Sequence, residues 1–157
     1  MTSPKPRYRK LFTVEQANAM LPLVRAIVGD LSRLYRDLVG RHERLEHLAS
    51  SRKSAKGDPY ADELQQMESE LERDKLKLRE YVSELQQLGI ECKDPGRGLI
   101  DFPSEMDGNI VYLCWQLDEP EVLFWHDIDA GFAGRQSLTA GSVADSSADF
   151  DLSSDSP

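Results

Sequence analysis

KDPGRGLIDFPSEMDGNIVYLCWQLDEPEVLFWHDIDAGFAGRQ, residues 93–136, is where the chain stops reading as helix. Residues 99–102 (LIDF), 109–117 (NIVYLCWQL) and 122–128 (VLFWHDI) are rich in branched and aromatic side chains, which suit a pleated, half-buried surface. PSEMDG and DEPE separate them and carry turn residues. A three-stranded antiparallel meander is expected, with Pro103 ending the first strand and Pro120 in the second turn. Two registers are open for the last pair of strands. If Leu117 pairs with Val122, Cys114 lies opposite Trp125, and His126 shares the face of Leu113 and Trp115. If the turn is one residue out, Cys114 lies opposite His126, because a one-residue slip moves every side chain to the other face.

Upstream, the apolar positions switch to helical spacing. Thr13 followed by Gln16 forms a capping-box pattern, which places the first helix start at Phe12–Thr13. Val14, Ala17, Leu21, Val24, Val28, Leu31, Tyr35, Leu38, His42 and Leu45 then recur at three and four residues, a heptad seam. Pro22 removes a hydrogen bond and predicts a short helix at 14–20, then a kink or restart. A polar stretch at 49–59 connects to a second helix over 60–88. Its seam runs Leu64, Met67, Leu71, Asp74, Leu78, Tyr81, Leu85 and Leu88, and Gly89 ends it. Asp74 occupies an apolar position, which reads as a register device more readily than as a functional carboxylate. So short a connection makes the helices antiparallel.

The fold class is therefore α+β: a long, coiled-coil-like antiparallel helical hairpin carrying a small three-stranded antiparallel sheet. A single domain spans 11–136, with the hairpin at 13–88 and the β segment at 93–136. A flexible basic arm precedes it at 1–10, and a disordered, acidic Ser/Asp-rich tail follows at 137–157.

Composition narrows the function classes. The net charge of −9 argues against nucleic acid or anionic membrane as partner. No apolar run approaches the roughly 18 residues that a membrane span needs, and no signal peptide is visible. Two cysteines, Cys92 and Cys114, give no disulfide framework, so free thiols in the cytoplasm are expected. Residues 89–136 carry ten acids and three bases. An anionic ligand there would need Lys93, Arg97 and Arg135 to converge.

Four blocks carry a resemblance: FTVEQANAMLP at 12–22, KDPGRGLIDFPS at 93–104, GNIVYLCW at 108–115 and WHDIDAGFAGR at 125–135. Together the chain resembles the bacterial family of unknown function DUF2203 over about residues 11–136. The resemblance implies a complete small bacterial protein in which the first helix and the β segment form one unit. It implies no activity, substrate or cofactor, and the tail lies outside the pattern.

Several groups are candidates for chemistry. Cys114, His126 and an Asp (Asp101, Asp127 or Asp129) could bind a transition metal or a haem, or form a thiol nucleophile with its base. A cysteine between Leu113 and Trp115 is more often a small buried hydrophobe. Trp115 and Trp125, with Tyr112, Phe124 and Phe132, could wall a ligand pocket, although core is the plainer reading. Lys93 and Asp94, with Gly96, Arg97 and Gly98, could offer amides to an anion, but no P-loop or dinucleotide-binding spacing is present. Arg135 could clamp a ligand carboxylate, or pair with Asp101 or Asp127.

No complete catalytic motif accompanies the heptad seam, so enzyme status stays open. The leading expectation is a non-enzymatic cytoplasmic interaction or assembly protein. Its helices would form a homodimer, and its aromatic β segment would bind a protein partner or small ligand. The alternative is a metal- or haem-binding protein with Cys114, His126 and an Asp as ligands.

Overall fold

The computed structural model describes residues 10–51 and 60–138. The expected arm up to residue 9, the connection at 52–59 and the tail from 139 onward lie outside the described residues. Helix α1 (Val14–Ser51) begins at the predicted capping box. The Gln16 amide donates to Thr13 Oγ1 at 3.0 Å, and the Thr13 amide donates to Gln16 Oε1 at 3.0 Å. These two bonds satisfy backbone donors that would otherwise be orphaned at the helix start. Thr13→Ala is expected to cost about 1 kcal/mol of stability, read from the urea midpoint.

The separate short helix expected at 14–20 does not form. Pro22 lies inside a continuous helix and is exposed, whereas Ala17, Leu21, Val24 and Val28 around it are buried. Burial of that stripe holds both flanks in one helix and outweighs the lost hydrogen bond. Helix α2 (Ala61–Gln87) packs back along α1 and ends ahead of Gly89. Asp74 meets Arg41 across the hairpin at 2.7 Å, and Asp37 holds the same guanidinium at 2.9 Å. The out-of-pattern acid thus sets the alignment of the two helices. His42, although at a seam position, is exposed, and Glu46 lies 3.4 Å from it.

The sheet has five strands, not three. They are β1 (Glu91–Asp94), β2 (Leu99–Met106), β3 (Asn109–Gln116), β4 (Phe124–Asp127) and β5 (Gln136–Ser137), all antiparallel in the order 1-2-3-4-5. Both additional strands are short edge strands of mixed polarity, with no alternation to announce them. Pro103 does not end its strand. Its carbonyl accepts from the Phe12 amide at 2.7 Å, on the side where β1 has already ended. The missing proline N–H therefore falls at a sheet edge, where nothing needs it. Asp107 and Gly108, both at positive φ (52° and 81°), make the two-residue turn into β3.

The β3–β4 register differs from both expectations: Cys114 pairs with Phe124 and Tyr112 pairs with His126. Val122 does not open the strand, because its amide donates to Asn18 Oδ1 on α1 at 2.7 Å. That bond lengthens the connection and shifts the pairing by one residue from the first register and two from the second. Ile100, Phe102, Leu113 and Trp115 consequently face the helices, with Trp125 beside them. They form one core with Phe12, Leu21, Val24, Val28, Leu31, Leu85 and Ile90. The core sits at the sheet end of the hairpin. Farther out, Leu45, Leu64 and Met67 are only half-buried. Among the described residues no helix is long and apolar enough to cross a membrane.

Candidate metal centre

The sheet face away from the helices carries Asp101 on β2, Cys114 on β3 and His126 on β4. Strand alternation and the observed register put all three on one side: Asp101 is directly opposite Cys114, and His126 is one diagonal step away. Each is 1–2% exposed. One donor atom from each, a carboxylate oxygen, the thiol sulfur and a ring nitrogen, lies within 4.8 Å of the other two.

The histidine tautomer follows from its partners. His126 Nδ1 lies 2.7 Å from the Asp127 carbonyl, which can only accept, so Nδ1 carries a proton. Nε2 lies 3.0 Å from Asp101 Oδ2. Two atoms with lone pairs at that distance must share one positive particle, a proton or a cation. Asp101 Oδ1 is buried and has no nitrogen or oxygen partner among the described residues, with the Cys114 thiol the polar group that interacts with this carboxylate besides His126. Burying an oxygen of that kind is costly unless something else satisfies it.

Burial raises the Asp101 carboxyl above its usual range, and the neighbouring His126 opposes that only in part. The Cys114 thiol is pushed up to about 12, first by burial and then by the charge of Asp101, against a smaller pull from Arg135. It therefore holds its proton at neutral pH and is not a poised nucleophile. Cys92, on the opposite face and half-buried, is pushed up to about 11, mainly by burial.

A family model described as an uncharacterized conserved protein (DUF2203) matches residues 10–138. The chain belongs to this family. No curated protein and no solved structure matches the chain.

The other residues singled out in this DUF2203 chain scatter. Trp115 is fully buried on the helix side and donates to the Glu119 carbonyl at 3.0 Å, and Trp125 shares that side. Neither faces the three donors. Tyr112 and Phe124 lie on the donor face, so the aromatic cluster is split across the sheet. Lys93 pairs with Glu91 at 2.8 Å and lies over the Tyr112 ring. Asp94 accepts from the Arg97 amide at 3.2 Å, closing the β1–β2 turn as a structural element. Arg135 pairs with neither Asp101 nor Asp127. It meets Glu119 at 2.7 Å and the Cys114 carbonyl at 3.3 Å, and it stacks on Phe124 and Phe132. Residues 130–135 thus fold over the outer face beside Cys114. Glu119 is concealed in the sequence, where it is one of three acids in a stretch that reads as a turn.

Proposed function

We propose that this DUF2203 protein is a metal-binding protein holding one first-row dication through Asp101, Cys114 and His126. The observation that carries the reading is three buried donors converging from three strands, each with a ligand atom within 4.8 Å of the other two. Zn²⁺ suits the donors best, since it accepts thiolate, imidazole and carboxylate together at low symmetry. A dication with one thiolate and one carboxylate is also neutral, which burial demands. An ion bonded to all three would set its ligand atoms about 3.3–3.8 Å apart, from metal–ligand bonds of about 2.0–2.3 Å. The imidazole–carboxylate pair, at 3.0 Å, would open by a few tenths of an ångström, and the thiol, within 4.8 Å of both, would close by at most about 1–1.5 Å. The Nδ1–H bond to the Asp127 carbonyl supports Nε2 as the ligand, the usual way a metal-bound imidazole is oriented. A haem fits poorly, because its planar ring has no room between adjacent side chains on one sheet face.

The test is elemental analysis after Zn²⁺ loading and desalting. One ion per chain is expected for the wild type, and less than a tenth of that for His126→Ala and Asp101→Ala. Cobalt substitution examines the same site without a mutation: a thiolate-to-cobalt charge-transfer band is expected. No retained ion in the wild type, or full retention in both variants, would overturn the reading.

A further inference from the structure

Asp101, Cys114 and His126 are each 1–2% exposed, so an ion or reagent from solvent reaches them only if some segment moves. The outer face of the sheet offers two places. One is the β1 side, where Glu91 accepts from the Tyr112 hydroxyl and from Lys93, each at 2.8 Å. Tyr112 in turn lies 5.5 Å from the His126 ring. Opening there must move Tyr112, which is 6% exposed and stands in the middle of a β3 that pairs with β2 along its whole length. The other place is residues 128–135, between β4 and β5. Residues 128–131 are exposed, Gly131 has φ +65°, and Phe132–Gly134 form one tight turn of 3-10 helix. The Gly134 amide donates to the Gly131 carbonyl at 3.0 Å and the Arg135 amide to the Phe132 carbonyl at 3.1 Å, so these backbone bonds stay inside the segment.

Side chains fasten the segment to the sheet. Arg135 reaches Glu119 at 2.7 Å and the Cys114 carbonyl at 3.3 Å, and its guanidinium lies 4.1 Å from the Phe124 ring and 4.8 Å from the Phe132 ring. Arg97 stacks on Phe132 at 4.1 Å. We infer that residues 128–135 form a flap whose opening admits ions and small reagents to Cys114, with the Arg135–Glu119 pair as its latch. Opening leaves the paired strands intact, which places it among the low-cost local motions of a fold. It also lets water reach Arg135 Nε, which is buried without a hydrogen-bond partner among the described residues, and this offsets part of the lost contact. The role of the flap, gating entry and release of the ion, rests on the metal reading; its opening does not.

Labelling of the metal-free full chain with N-ethylmaleimide tests this, with mass spectrometry following Cys114 and Cys92 separately. Cys92 lies on the helix side of the same sheet and reports any general loosening of the fold. Glu119→Gln removes the latch charge while keeping the oxygen that accepts from the Gln116 amide. Phe132→Ala removes the ring on which Arg97 and Arg135 stack. Each is expected to speed Cys114 labelling about tenfold or more, and to leave Cys92 unchanged. Glu91→Gln, on the β1 side, is expected to leave both rates unchanged. The two flap variants act at different contacts, so either one that folds decides. Unchanged Cys114 labelling in a folded flap variant would overturn the inference. So would equal acceleration at Cys92, or acceleration of Cys114 by Glu91→Gln to the same extent. With zinc bound, the flap variants should release the ion to a chelator faster at unchanged stoichiometry. A wild type that retains no ion would overturn the metal reading alone, since the labelling needs none.

Discussion

Gly98→Ala is expected to destabilise the protein by about 3 kcal/mol. Gly98 has φ +66°, a region that an alanine enters only at about 1–2 kcal/mol. Space is the second obstacle. A Cβ at Gly98 would lie 2.7 Å from Leu117 Cβ and 3.1 Å from Val28 Cγ1. Neither neighbour can retreat easily, because Val28 is fully buried on α1 and Leu117 continues directly from β3. Overpacking of this kind typically costs a further 1–3 kcal/mol, on the order of the torsional cost. The position matters because the β1–β2 turn is where the sheet is fastened to the first helix. Ser32 Oγ and Arg36 Nε both donate to the Gly96 carbonyl, each at 3.0 Å, and the Gly98 amide donates to Pro95 at 3.2 Å. Gly108→Ala separates the two contributions. Gly108 has φ +81° but nothing within 4 Å of the added carbon, so only the torsional cost of about 1 kcal/mol remains. Urea titration of the two variants measures the difference. Equal losses at both positions would mean that the Val28–Leu117 contact does not constrain the turn.

That turn also shows what the sequence disclosed and what it withheld. The PGRG run announced a tight connection, but its attachment to α1 depends on Ser32 and Arg36, more than sixty residues away in the chain for Ser32. The capping box at Thr13–Gln16 was legible because all its parts lie within one turn of helix. Pro22 misled for the same reason: its local penalty is real, while the burial that overrides it comes from the sheet. The donor set was half legible. Cys114 and His126 were visible as residue types, and Asp101 stood among the acids weighed with them. Their convergence depended on a register that the Asn18–Val122 bond sets from another element. Arg135 likewise found Glu119 rather than an aspartate, because the connection before β4 is longer than a tight hairpin would be.

The metal reading carries a second large effect. Zinc affinity should rise by at least about tenfold for each pH unit near neutrality, because binding an ion at this site must release protons. The first is the thiol proton of Cys114, held because burial and the neighbouring carboxylate push that group up to about 12. The second is the proton shared between His126 Nε2 and Asp101 Oδ2, whose place the ion takes. The Nδ1 proton stays, since the Asp127 carbonyl still accepts it. The sign follows directly: each release is favoured by fewer protons in solution, so affinity grows as pH rises. Titration calorimetry in buffers of different ionisation enthalpy counts the protons per ion. Cys114→Ala should lower the count by about one and remove about tenfold per unit from the pH slope. Zinc held instead by the exposed carboxylates of this acidic chain would release almost none, since those groups are already ionised. A proton count near zero in the wild type would therefore place the ion elsewhere, even if the stoichiometry were one.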